Sequence, residues 1–144
     1  MVFSALPFRR FLALVLLIGA GIVLRRYGPA HGLSPFVIRM GAGALWAGAI
    51  YFVIALLLRS RPRKQILIVA AVICAGIEFS KLSHTPALDI FRLTTVGAWV
   101  LGRLFGWSNF LAYAAGLASA LGLDALLAGG FRNPFKKTSR GRRR

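Results

Sequence analysis

The chain has 144 residues, of which 58% are apolar, and a mean hydropathy of +0.71. Charged residues make up only 15%, against about a quarter in soluble domains, and so short a chain has no single core able to bury that much apolar surface; a water-soluble globular protein is excluded. The formal net charge of +16 raises a nucleic-acid reading, but the basic residues outside the C-terminal tail border apolar runs, and the tail carries no recognisable binding module.

The first apolar run, "FLALVLLIGAGIVL" at 11–24, lies between Arg9-Arg10 and Arg25-Arg26. A basic start before an apolar middle is shared with signal peptides, but no small-x-small cleavage site follows. The run predicts an uncleaved transmembrane helix over about 8–26, extended by arginine side chains reaching the interface. "YGPAHGLSP" breaks the chain with Gly28, Pro29, Gly32 and Pro35, residues that punctuate helices. A second span is predicted over 36–58, then the short basic loop "RSRPRK", then a third span over 65–82. The segment 89–107 has only about nine consecutive uncharged, mostly apolar residues, 93–101. That is too short to cross as a helix, and it reads as interfacial or re-entrant. The last span is predicted over 109–131. The basic tail 132–144, "RNPFKKTSRGRRR", is expected to be disordered and cytoplasmic.

The expected fold class is therefore all-α: a polytopic transmembrane helix bundle with four spans and a short interfacial or re-entrant helix, residues 1–131 forming one domain. Four spans place Arg9 and Arg10, the loop 59–64 and the tail on one side, which gathers thirteen of the nineteen Lys and Arg. The positive-inside rule makes that side cytoplasmic, with both termini there. A fifth span through 93–101 would carry the seven tail charges outside. The tail is expected to attract anionic inner-leaflet lipid, at about 1 kcal/mol per basic residue near the surface.

Catalytic chemistry has little support. Cys74 is the only cysteine and lies in an apolar run, where a small apolar side chain is the plain reading. His31 and His84 fall in different connections, no spacing resembles a metal site, and no cofactor is expected. No nucleophile triad or phosphate-binding glycine loop occurs. The reading favours a protein that is not an enzyme.

Two patterns stand out. Ala112, Gly116 and Ala120 recur every fourth residue in the last span, and Gly43 with Ala47, beside Ala44 and Gly48, does so in the second. Small residues at this spacing let helix backbones approach closely in lipid. The other pattern is "IEFSKLSHTPALDIFR", 77–92, which holds two of the chain's three acidic residues, Glu78 and Asp89. Glu78 ends an apolar run, and Lys81 follows on the same helical face. Asp89 and Arg92 share that spacing. The expectation is an ionic network of Glu78, Lys81, His84, Asp89 and Arg92, with Arg103 and Arg39 near. Ionisable groups in a membrane helix are a default functional site; closeness to the interface leaves a structural role equally open.

The stretches "GALWAGAIYFVIALL", "IEFSKLSHTPALDIFRLTTVGAWVLGRLFGW" and "WSNFLAYAAGLASALG" resemble the DUF2809 family of small bacterial membrane proteins, similar in layout to the VanZ-like proteins. The specific part is the order Glu78, His84, Pro86, Asp89; Trp107, Ser108 and Tyr113 match the start of the family's last helix. The resemblance implies a bacterial inner membrane but no reaction. It also marks three departures: the family typically carries Asp at Gly43, Gln at Lys81 and Asp at Asn109. Three function classes follow. The first is an accessory or envelope-associated factor with an outward-facing polar cluster. The second is a structural or scaffold subunit of a larger membrane complex. The third is a transporter, which needs a homo-oligomer because four spans make a thin pore.

Overall fold

The computed structural model describes residues 5–102 and 104–129. Arg103, the tail 132–144 and the last two residues of the predicted final span lie outside the described residues. The elements are helix α1 (Ala5–Tyr27), a 3-10 turn at Pro29–His31, α2 (Pro35–Leu57), α3 (Arg63–Ser80), α4 (Pro86–Leu93), α5 (Thr95–Val100) and α6 (Trp107–Gly129).

Local sequence explains where they stop. Gly32, at φ 73, closes the 3-10 turn. Ser34 caps α2 by accepting the Val37 N–H, and Pro35 fills the first helical position, where its missing N–H costs nothing. Pro62 precedes α3, and Pro86 opens α4.

Three helices, α1, α2 and α6, have 23 residues each and are long and apolar enough to cross a membrane. At 1.5 Å per residue each reaches about 35 Å, beyond a hydrocarbon core of about 30 Å. The chain is a multi-pass membrane protein. The expectation of four spans meets a difference at α3. It lies where the third span is predicted, but it has 18 residues and carries Arg63 and Lys64 in its first turn and Glu78 near its end. Its reach is about 27 Å, so by length and composition it does not stand with the other three.

The segment 89–107, expected to hold one short interfacial or re-entrant helix, is served by two, α4 and α5. Thr94 divides them: its hydroxyl donates to the Phe91 carbonyl at 2.6 Å and accepts the Gly97 N–H at 3.0 Å. It thus ends α4 and caps α5 with one side chain. Neither helix, at 8 and 6 residues, is long enough to span.

Helix α2 is the centre of the bundle and packs against α1, α3 and α6. Ala47, Tyr51, Phe52 and Ala55 are wholly buried along it. The small-residue faces of α2 and α6 lie against each other. A Cβ at Gly116 would overlap the Ala44 carbonyl oxygen, and one at Gly43 would come to 3.3 Å from the Ala112 Cβ. Gly48 faces Gly116 and Ala120. Helix α1 buries only Arg10 and Ala13 and exposes Phe8, Phe11, Val15 and Leu16, an apolar surface suited to lipid.

Candidate functional site

Helices α3 and α6 run in opposite directions, so the C-terminus of α3 lies beside the N-terminus of α6. Glu78 is fully buried there. One carboxylate oxygen, Oε1, accepts the Gly106 N–H at 2.9 Å and the Asn109 Nδ2–H at 2.8 Å. The other, Oε2, accepts Lys81 Nζ at 2.5 Å and the Tyr113 hydroxyl at 2.7 Å. Gly106 immediately precedes α6, so the carboxylate also sits at the positive end of that helix. Two oxygens offer about four lone-pair positions, and four donors fill them. A carboxylate so occupied has no free position for a substrate proton. Its charge is matched by Lys81, whose side chain is 6% exposed.

Lys81 is held in turn by the backbone. Gly102 follows α5 with φ +70, and a Cβ on it would stand 3.0 Å from Lys81 Cε. Only glycine meets both demands without strain. Phe79, Phe105, Trp107 and Phe110 form a ring cluster beside the pair, with centroids 5.1 to 6.3 Å apart. Trp107 is 72% exposed, as an interfacial indole is.

The network expected around Glu78 divides in two. Lys81 is on Glu78, whereas Arg92 is on Asp89 at 3.2 Å, with His84 Nδ1 at 3.4 Å from the same Asp89 oxygen. His84 is 72% exposed and belongs to an outer rim. Arg92 is buried and also donates to the carbonyls of Ser83, at 2.8 Å, and Ser80. These are carbonyls at and just past the end of α3, where the Ser80 carbonyl also accepts the Ser83 N–H at 3.0 Å, and a cation there complements the helix dipole. Arg39 is at the same end but contacts other groups: it reaches Ser108 Oγ at 3.4 Å and sits 5.8 Å over the Phe36 ring.

A second buried carboxylate, absent from the sequence reading, lies at the opposite end of the bundle. Asp124 of α6 is fully buried. Arg10 of α1 meets both its oxygens, at 2.7 and 2.9 Å. Arg63 of α3 adds a contact at 3.0 Å and the Tyr51 hydroxyl of α2 one at 3.3 Å. Arg10 also donates to the Ala55 carbonyl at 2.9 Å, and Arg9 to the Leu127 carbonyl at 3.0 Å, near the C-terminal ends of α2 and α6. One side chain thus ties four helices together. Its sequence signal is a lone carboxylate inside an apolar run.

A cavity of about 500 Å³ opens at the Glu78 end. Gly43, Lys81 and Asn109 line it, with Tyr113. Among the described residues no group of three or more His, Cys, Asp or Glu is placed to hold a metal ion.

These features define a helical membrane protein with a buried carboxylate near each end and a cavity at one of them. The family model described as "Protein of unknown function (DUF2809)" matches residues 33–117, more than half of the chain, and the chain belongs to that family. The matched stretch contains Glu78 with all its partners; Arg10 and Asp124 fall outside it. No solved structure matches the chain.

Proposed function

We propose that the chain is a four-span protein of a bacterial inner membrane, with both termini cytoplasmic, acting as an accessory or envelope-associated factor. In this reading α3 is the fourth span. Arg63 pairs with Asp124 and Glu78 with Lys81, so two of its charges are matched inside the protein, and Lys64 lies in its first turn at the cytoplasmic face. The observation that carries the reading is the cavity at the Glu78 end, on the side away from the basic loop 59–64. Its occupant is an envelope component or a lipid-linked one. The saturated Glu78 lies behind the cavity wall and holds the lining residues Lys81, Asn109 and Tyr113 in place, rather than acting as an acid or base.

For the scaffold reading, the small residues of α2 and α6 offer little surface to a partner, because they are used against each other. The transporter reading still needs a homo-oligomer, because Tyr51 and Phe52 are buried at the centre of the single chain's bundle.

Topology tests the proposal. In a Cys74→Ala background, cysteines at His31 and His84 should label with an impermeant reagent from outside intact cells, and one at Arg61 only after the membrane is opened. Labelling of Arg61 from outside, or of His84 only from within, would discard the arrangement.

A further inference from the structure

The chain has three acidic side chains, and each is matched with a cation: Glu78 with Lys81, Asp89 with Arg92, Asp124 with Arg10 and Arg63. Arg25 and Arg39 also line the cavity at the Glu78 end, and among the described residues neither has a carboxylate partner. Both are exposed. Lys81 faces the cavity too, with its charge already balanced. The remaining wall includes Leu33, Ile38 and Leu104, so two unmatched cations sit beside an apolar surface.

A further donor points the same way. The indole Nε1–H of Trp46 is buried with no hydrogen-bond partner among the described residues. Trp46 lines two small pockets, of about 40 and 50 Å³, and both share Arg25 with the large cavity. The 50 Å³ pocket also shares Gly43, Lys81, Gly102 and Tyr113 with it. Unmatched cations and an unmatched N–H ask for an acceptor carrying negative charge. The apolar wall asks for a chain attached to it.

We infer that this cavity binds the phosphate of an anionic membrane lipid, with Arg25 and Arg39 as its charge partners and Leu33, Ile38 and Leu104 against the lipid chain. The inference rests on the reading of this end as an outward-facing binding site.

The full chain, purified in mild detergent, is offered phosphatidylglycerol and phosphatidylcholine in equal amounts, and retained lipid is measured by native mass spectrometry. Phosphatidylglycerol should be retained in preference. The Arg25→Gln, Arg39→Gln double variant should bind it about tenfold more weakly or worse, as expected for the loss of two cations near a membrane surface. The Arg59→Gln, Arg61→Gln double variant, with the same loss of charge at the other end, should bind as the unaltered chain does. Equal binding by the first variant, or equal loss in the second, overturns the inference. So does stabilisation against heat by inorganic phosphate alone that matches the effect of phosphatidylglycerol, which would assign the cavity to a free phosphate. The first variant should melt as the unaltered chain does without lipid; if it does not, the single variants Arg25→Gln and Arg39→Gln replace it, each expected to weaken binding. Loss of lipid preference with the outer labelling of His31 and His84 intact removes this inference alone. Inverted labelling removes the reading beneath it.

Discussion

Arg10 and Asp124 stand 114 residues apart and meet as a two-pronged pair, Nε to Oδ1 at 2.7 Å and Nη2 to Oδ2 at 2.9 Å, inside the bundle. Arg63 and Tyr51 complete the group, so α1, α2, α3 and α6 converge on one carboxylate. A carboxylate buried this way is stabilised only by partners that match it in charge and geometry.

Asp124→Asn should therefore be costly. The amide matches neither the charge nor the two-oxygen geometry, and it leaves two arginines facing one another. Removing one partner of a buried pair costs about 3–5 kcal/mol, and thermal unfolding in mild detergent should register a loss of that order. In an Arg10→Gln background the same change should cost about 1 kcal/mol less or better, the signature of direct coupling. Additive losses would contradict the pairing.

Glu78→Gln places an NH₂ group where only donors converge. Whichever way the amide turns, it faces Lys81 and Tyr113 or Gly106 and Asn109. A loss of about 2–4 kcal/mol is expected from the unmatched buried groups. Lys81→Gln in the same chain should recover part of it, because a neutral amide can accept as well as donate. Melting of the two single variants and the double variant decides the matter; no recovery would mean that Lys81 is not the charge partner of Glu78.

Two glycines of α6 should behave oppositely. Gly116→Val forces a side chain into the Ala44 carbonyl of α2 and should destabilise the fold by about 1–3 kcal/mol, the usual range for overpacking. Gly122→Ala meets nothing within 4 Å and should stay within about 0.5 kcal/mol of the unaltered chain, as surface substitutions do. Equal effects at the two positions would mean that α2 and α6 do not approach here.

Local features were legible in the sequence and distant ones were not. Apolar runs and their Gly and Pro breaks mark the four long helices to within a few residues, because both signals act on the chain's immediate neighbourhood. The Glu78–Lys81 and Asp89–Arg92 pairs are readable for the same reason: three residues apart on a helix means adjacent on its surface. The donors Gly106 and Asn109 are neutral groups that no charge pattern reveals. Asp124 is visible as an oddity in an apolar run, but its partners lie 61, 73 and 114 residues away, and no periodicity records such a distance. The division of segment 86–107 at Thr94 depends on one hydroxyl serving two helices, which propensity does not register.

The convergence on Asp124 also has a consequence for biogenesis. The chain is made from its N-terminus, so α1 and α3 are in place, with Arg10 and Arg63 lacking a counter-ion, before Asp124 exists. Ionisable groups in this state are expensive in lipid, and the last helix relieves both at once. Arrival of α6 thus marks the point at which both arginines are matched. A chain stopped after residue 106 should be degraded faster than the full chain in a pulse-chase measurement, and full-length Asp124→Asn should share the shortened lifetime. Equal lifetimes for all three would mean that the waiting arginines find partners elsewhere in the membrane. On this account the arrival of α6 is what lets the cell tell a charge-matched chain from an unmatched one.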